Sequence, residues 1–148
     1  MSNYRVLQMT NTNVGAVAVN GLMPFGITTR RVNRNVCTDA PTFSISTTGT
    51  NTITINECGN YDVTYSTSAV ASTAGIVTMN LLINGTNVYA VSGTVAGGDT
   101  VNLTLPYQIR VLPNCASTPN NNPVNIQVEL TGVAITGGTS NIIVERVY

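Results

Sequence analysis

The sequence has no histidine, and its six basic residues are all arginines, so it has no lysine either. Without histidine, neither Ser-His nor Cys-His activation of a nucleophile is available, and without lysine there is no residue for a Schiff base. The acidic residues occur singly rather than in D-x-D or E-x-x-E pairs, so catalytic carboxylates could meet only through the fold. These absences predict a protein that is not an enzyme and holds no cofactor. Asp99 in "AGGDT" is the one calcium candidate, and we favour a turn-forming aspartate with no metal.

Long apolar runs are missing as well. The opening "MSNYRVLQMTNTN" has no apolar core of the kind that a signal peptide needs, and no run approaches membrane-spanning length. We therefore expect synthesis in a bacterial cytoplasm without a signal peptide. Cys37, Cys58 and Cys115 are an odd number without metal-ligand spacing. They fit three separate thiols in a reducing compartment, and one disulfide plus one free thiol also fits them.

Charge is scarce and unevenly placed. The six basic and six acidic residues cancel, and such a neutral surface argues against nucleic acid or an anionic membrane as the main partner. The first 38 residues nevertheless hold four arginines and no acid: Arg5, Arg30, Arg31 and Arg34. Two interpretations are open: ordinary contacts within the fold, or a basic N-terminal segment that docks on an acidic partner or a neighbouring subunit.

Thr, Asn and Val are abundant, with 23, 19 and 19 residues, and this mix favours strands joined by polar turns. Asn84-Gly85 is a hairpin signal, and Pro106 predicts an edge strand, a bulge or a break in pairing. With no convincing helix and no repeat, the pattern predicts a β-sandwich or barrel of eight to ten short strands. Apolar and polar residues alternate along residues 53–65, 77–83, 101–111 and 124–131.

The C-terminal segment "NIIVERV" differs from those stretches because its apolar residues are consecutive. Ile142, Ile143 and Val144 can be dry on both sides of a strand only if a second surface covers them. Symmetric self-association is the commonest supplier of such a surface. A strand buried wholly inside one sandwich is the alternative interpretation.

Four segments give the chain a resemblance to a known family: "GNYDVTY", "VTMNLLINGTNV", "NPVNIQVELTG" and "SNIIVERVY". In order and spacing they resemble the C-terminal domains of bacterial collagen-like spore-surface (exosporium) glycoproteins. Those domains belong with the tumour-necrosis-factor-like jelly rolls and the globular heads of the complement first component. Upstream, "VAVNGLMPFGITTRRV" is similar to the first strand of that family, with its Pro-Phe element at Pro24 and Phe25. Unlike the spore proteins, this sequence has no Gly-x-y collagen repeat.

The resemblance implies an all-β jelly roll of about ten strands that assembles as a tight homotrimer. It implies an N-terminal arm over residues 1–13 and a jelly-roll domain over residues 14–148. It also places the C-terminal strand centrally in the sheet that faces the neighbouring subunits. The residues expected at that trimer interface are Tyr61, Tyr65, Ile142, Ile143, Val144, Val147 and Tyr148.

The leading functional hypothesis is a trimeric decoration or head-fibre protein on the exterior of a phage capsid. The partner would be the major capsid protein or another shell protein, whose lattice offers local three-fold axes. One alternative is a spore-coat or cell-surface protein without its collagen stalk. Another is a receptor- or glycan-binding virion tip that uses loops 92–100 and 113–123. The residues expected to dock on the shell are Tyr4, Arg5, Val6, Leu7, Arg30, Arg31 and Arg34.

Overall fold

A computed structural model describes residues 4–32, 41–112 and 123–147. The predicted site residues Arg34 and Tyr148 lie outside these ranges, as do Cys37, Cys115 and most of the loop at 113–123. The described residues form strands and turns without any helix, and so include no helix able to span a membrane. The ten strands are β1 (Val6–Asn11), β2 (Ile27–Val32), β3 (Phe43–Ile45), β4 (Ile53–Ile55), β5 (Gly59–Ala71), β6 (Gly75–Ile83), β7 (Thr86–Val95), β8 (Thr100–Val111), β9 (Val124–Gly132) and β10 (Ile135–Arg146).

The strands form two antiparallel sheets of five, which confirms the predicted jelly-roll sandwich. Sheet I has the order β2-β1-β10-β5-β8, and sheet II has the order β3-β4-β9-β6-β7. Because side chains alternate between the faces of a strand, each sheet buries every second residue against the other sheet. Each large apolar side chain so buried contributes about 1.5–3 kcal/mol to folding.

The core lies between the two sheets, and aromatic residues occupy it from both sides. Tyr61 and Tyr65 of β5 are fully buried, as are Phe25 and Phe43. Phe25 meets Tyr65 edge-on at a centroid distance of 6.2 Å, and Phe43 meets Tyr61 in the same way at 6.0 Å. Such edge-to-face pairs are favoured by the quadrupoles of the rings and fix the spacing of the sheets here.

Two local predictions from the sequence are confirmed. The turn between β6 and β7 consists of Asn84 and Gly85, both left-handed with φ of 50° and 82°. Two such residues in succession suit the tight hairpin turn whose twist matches the flanking strands. Pro106 lies on β8, which ends sheet I and pairs with β5, so the proline occupies an edge strand.

The boundary predicted between an arm at 1–13 and a domain from residue 14 is wrong. Residues Val6–Asn11 form β1, which is hydrogen-bonded between β2 and β10. Leu7 and Met9 are almost completely buried in the core. The N-terminal strand therefore belongs to the fold, because removing it would expose these side chains and leave one edge of β10 unpaired.

The segment placed by resemblance in the first strand is mostly a connection. Residues 14–26 leave sheet I, run beside β9 of sheet II and return as β2. The Met23 amide donates to the Val128 carbonyl at 2.8 Å, and Val17 exchanges hydrogen bonds with Ile135. This connection covers the part of β9 that the short strand β4 does not reach.

Candidate interaction surfaces

The C-terminal strand β10 has two different faces. Ile142 and Val144 are fully buried in the core, whereas Ile143 points the other way and is half-buried. Ile143 lies opposite Gln8 of β1 and Thr64 of β5. The alternative interpretation, a strand buried wholly inside one sandwich, is therefore wrong. The chain covers one face fully and leaves an aliphatic side chain partly exposed on the other.

The surface around Ile143 is the side of sheet I that faces away from the core. It is uncharged at its centre, and Arg30, Asp62 and Glu145 flank that centre. A concave region of about 460 Å³ lies beside Thr64 and Pro106. We call this surface the outward face of sheet I; its central residues are Gln8, Thr10, Thr64, Ser66, Thr104, Pro106, Asn141 and Ile143.

The predicted trimer-interface residues divide between the core and this outward face. Four of them have no exposed surface: Tyr61, Tyr65, Ile142 and Val144. Their side chains cannot contact a neighbouring subunit, so the prediction that they lie at the trimer interface is wrong. On both strands every second side chain points into the sandwich, and these four residues occupy those positions. Ile143 and Val147 remain available, and Val147 is 40% exposed.

The prediction from the sequence did not include the polar residues of β5 that alternate with the buried tyrosines. Thr64, Ser66 and Ser68 alternate with the buried tyrosines and lie on the outward face. The alternation that predicts the strand already contains this signal, because every second residue of a half-buried strand faces away from the core.

A cluster of buried charges closes one end of the sandwich. Glu57 accepts hydrogen bonds from Arg5 Nε and Arg146 Nη1, both at 3.1 Å. The hydroxyl of Thr42 donates to the same carboxylate at 2.6 Å, and the Tyr61 hydroxyl donates to the Glu57 carbonyl at 2.7 Å. The three charged side chains are 5%, 15% and 18% exposed for Arg5, Glu57 and Arg146. One carboxylate thus joins the N-terminal and C-terminal strands, and it has two arginines as partners.

This arrangement contradicts part of the predicted docking site. Arg5, Val6 and Leu7 are buried within the subunit, so none of them can dock on a shell. Arg5 is instead held by Glu57, 52 positions further along the chain. That pairing depends on the topology of the sheets and has no local signal in the sequence.

The other predicted docking residues lie at the edge of sheet I. All six residues of β2, Arg30 and Arg31 among them, are exposed. The Arg30 guanidinium lies 5.5 Å from the ring centre of Tyr4, a cation–π distance. Arg31 donates a hydrogen bond to the carbonyl of Phe43 on β3, so it bridges the edges of the two sheets. The exposed Arg30 and Arg31 and the half-buried Tyr4 are therefore the predicted docking residues that lie outside the core.

Two tyrosine hydroxyls lie deep in the sandwich and are expected to resist ionisation. Burial raises the pKa of Tyr65 to about 12, and Thr67 and Ser140 lie beside its hydroxyl. Burial also raises the pKa of Tyr61 above its usual range, and the neighbouring charge of Glu57 adds to that rise. Both side chains are therefore neutral over the whole physiological range.

Two further residues from the sequence have clear positions. Asp99 ends a tight turn, with its amide donating to the carbonyl of Ala96 at 3.1 Å, in keeping with the favoured turn role. No cluster of three potential metal ligands occurs within the described ranges. Cys58 is a half-buried free thiol beside the charged cluster.

No protein-family model matches the sequence, and no curated protein matches it either. Solved structures do match in fold. The globular domain of zebrafish complement 1qA protein is similar with a TM-score of 0.67 at 7% identity, covering 97% of this chain and 98% of that one. Eiger TNF from S. frugiperda is similar with a TM-score of 0.67 at 10% identity, over 98% and 92% of the two chains. The PRD1 vertex protein P5 is similar with a TM-score of 0.64 at 15% identity, over 97% of both chains.

Proposed function

We infer that this chain, which has the jelly-roll fold of tumour necrosis factor and complement C1q domains, is a non-enzymatic structural protein. We propose that it forms a homotrimer and decorates the exterior of a phage capsid. The observation that carries the trimer is the outward face of sheet I. It has an aliphatic residue, Ile143, among central neighbours that carry no charge, and the charged residues Arg30, Asp62 and Glu145 lie around that centre. Such a surface can be buried without removing charged groups from water, which is the main cost of burying polar surfaces.

Self-association through this face needs a substantial contact. Stable obligate interfaces bury on the order of 1,000 Å² or more, and a five-stranded sheet offers a surface of that scale. Closed symmetry lets identical copies cover the same kind of surface on one another. Because the centre is uncharged, assembly is expected to depend little on salt.

The assignment to a capsid is supported by the fold shared with the PRD1 vertex protein P5, which by its name belongs to the vertex of a particle. A trimer also suits a shell with local three-fold axes, because its symmetry lets each subunit meet an equivalent shell subunit. In this proposal the edge of sheet I, with Tyr4 and Arg30, contacts an acidic surface of the major capsid protein. Synthesis in the bacterial cytoplasm and location on the virion are part of the same proposal.

The trimer is tested by placing a charge on each of two faces. Ile143→Asp puts a carboxylate at the centre of the outward face of sheet I, and Gln127→Asp puts one on the outward side of sheet II. Both variants should keep the far-ultraviolet circular dichroism spectrum of the native protein. We expect Ile143→Asp to run as a monomer at micromolar concentration and Gln127→Asp to run as a trimer. A trimer of Ile143→Asp would refute this face as the interface.

The capsid role is tested by electron microscopy of native particles from cells that produce the chain. We expect trimeric density on the outside of the shell. Arg30→Glu should reduce the occupancy of that density, whereas Arg110→Glu, at the opposite edge of sheet I, should not. Particles without the protein, or the protein in purified exosporium instead, would overturn the capsid assignment.

A further inference from the structure

The edge of sheet I that β2 forms differs from the other edge of that sheet. All six residues of β2, Ile27–Val32, are exposed, and Ile27 is 71% exposed. The strand is hydrogen-bonded to β1 on one side, and on its other side it pairs with no strand of the described residues. The opposite edge strand, β8, contains Pro106 and lies beside β7 of sheet II. An edge strand presents backbone N–H and C=O groups along its free side, so β2 is an open template for a further strand.

The charge on β2 is not balanced within the chain. Arg30 and Arg31 are consecutive, and the strand contains no acidic residue. Neither arginine forms an ion pair within the described residues, where the two ion pairs both belong to Glu57. The free side of β2 therefore combines open backbone groups with two positive charges that lack a counter-charge.

Contacts within the chain hold the two guanidinium groups on opposite sides of the strand. Arg30 lies opposite Gln8, on the outward face of sheet I, and its guanidinium is 5.5 Å from the ring centre of Tyr4. Arg31 points to the other side, where it donates to the carbonyl of Phe43 at the edge of sheet II. Each arginine thus has a neutral partner that positions it and keeps further N–H groups for an acceptor.

These features select one class of occupant for the free side of β2. A second copy of the same edge would bring arginine against arginine, and like charges on neighbouring strands are destabilising. A small anion would meet the arginines but would leave the row of backbone N–H and C=O groups unpaired. A peptide strand supplies both donors and acceptors, and acidic side chains on it supply the missing counter-charge. We propose that β2 binds an extended acidic segment of a partner protein, which adds to sheet I as its sixth strand.

The geometry of strand pairing specifies where the acidic residues of that segment lie. Residues directly opposite each other on paired strands project to the same face of the sheet. Because Arg30 and Arg31 are consecutive and project to opposite faces, their acidic partners must be consecutive as well. The expected segment therefore has two adjacent acidic residues within a run of β-branched residues. This inference deepens the proposed contact with a shell protein and rests on that proposal for the identity of the partner.

The test is a nuclear magnetic resonance titration of the intact, isotope-labelled protein with three capped peptides: acidic TVEEVT, neutral TVQQVT and basic TVKKVT. With TVEEVT we expect saturable shifts of the amides of β2, slower amide exchange along β2, and nuclear Overhauser effects between Hα atoms of the peptide and of β2. So short a segment should bind weakly, with a dissociation constant on the order of 1 mM. TVQQVT should bind about fivefold more weakly, the effect of two cross-strand charge pairs, and TVKKVT should not bind. Sodium phosphate at equal ionic strength should not slow amide exchange along β2.

Arginine variants test the source of the preference for acidic residues. Arg30→Gln combined with Arg31→Gln should abolish the preference for TVEEVT over TVQQVT. The matched variant Arg110→Gln, at the exposed opposite edge of sheet I, should preserve it. Both proteins should keep the native circular dichroism spectrum, because the replaced side chains are exposed.

Three results would overturn the inference: no saturable shift at about 10 mM TVEEVT, equal binding of TVEEVT and TVQQVT by the native protein, or shifts on β2 without slower exchange or Hα contacts. These results are separate from those that test the capsid role. Trimeric density on particles without peptide addition would refute only this inference. Peptide addition without density on particles would refute only the capsid role.

Discussion

The outward faces of the two sheets contain the same polar residue types but differ in the surface that these residues form. On sheet II the polar side chains bind one another. Asn87 Nδ2 donates to Asn80 Oδ1 at 2.9 Å, Asn80 Nδ2 donates to Thr131 Oγ1 at 2.8 Å, and the hydroxyls of Thr78 and Ser92 lie 2.8 Å apart. The face of sheet II is thus satisfied by contacts within the chain.

The polar side chains on the outward face of sheet I also bind one another, as Gln8 and Thr10 do with Asn141, but this face leaves concave and partly apolar surface between them. Two concave regions, of about 380 and 460 Å³, lie on it, and Ile143 remains half-buried at its centre. The difference shows that composition alone does not make a surface inert. Cross-strand polar pairs occur on both faces, so what decides is whether the surface between the pairs is concave and partly apolar, as it is around Ile143.

The largest expected effect comes from removing β1, on which the outward face of sheet I depends. Deletion of residues 1–13 removes Leu7, Met9 and the hydrogen bonds of β1 to β2 and β10. We expect a chain without a cooperative thermal transition, measured by circular dichroism. Deletion of residues 1–3 alone should leave the transition within a few degrees of native. A folded protein after the larger deletion would restore the arm predicted from the sequence.

A smaller but still large effect should follow from Glu57→Gln, which removes the carboxylate shared by Arg5 and Arg146. It removes the carboxylate that pairs with the buried Arg5 and the partly buried Arg146, and breaking a buried ion pair costs about 3–5 kcal/mol. Asp62→Asn is the control on the outward face, where an exposed Asp62 carboxylate accepts from Gln108 at 2.8 Å. That change should cost less than about 1 kcal/mol. Urea denaturation that gives equal losses for both variants would show that the buried cluster is not a determinant of stability.

High pH should lower the free energy of unfolding because the buried Tyr65 resists ionisation in the fold. The pKa of this tyrosine is raised from 10.0 in the unfolded chain to about 12 in the fold. Its contribution is therefore fully present below pH 10 and is lost as the pH rises to about 12, because the unfolded chain releases its proton first. The loss amounts to roughly 3 kcal/mol by the pKa difference.

Tyr65→Phe separates this effect from the titration of other groups. Unfolding free energies of the variant and the native protein, measured from pH 8 to pH 11.5, should show a shallower alkaline loss for the variant. Parallel curves would mean that the Tyr65 hydroxyl is accessible in the fold.

The smallest of these effects compares one amide on each outward face. Asn80 is 5% exposed and bonds to the Glu129 carbonyl, Thr131 and Asn87, so Asn80→Ala should cost about 2 kcal/mol. Asn141→Ala, on sheet I, should cost less than about 1 kcal/mol in a single subunit, where Gln8 and Thr10 can turn to water. A larger loss for Asn141→Ala would reverse the ranking of the two faces.

Much of the fold could be predicted from the sequence because strands carry their signal locally. The alternation around Tyr61, Val63 and Tyr65 gives β5, Asn84-Gly85 gives the hairpin turn, and Pro106 marks the edge strand. Each of these depends on neighbours within a few positions, where period and turn chemistry act.

The interaction surfaces could be predicted only in part. Consecutive apolar residues at 142–144 show that β10 is unusual, but they do not show which of the three side chains point into the core. The pairing of Arg5 with Glu57 is set by the order of strands in sheet I, which no local pattern contains. For that reason a basic residue near the N-terminus suggested a docking arm, although the fold uses it as a buried partner.

The central claim is that copies of the chain cover the outward face of sheet I. It is tested most directly by size-exclusion chromatography with light scattering on the unmodified protein at micromolar concentration. We expect a single species with three times the chain mass of 15.5 kDa, unchanged between low and high salt. A species of 15.5 kDa that is folded and stable would contradict it.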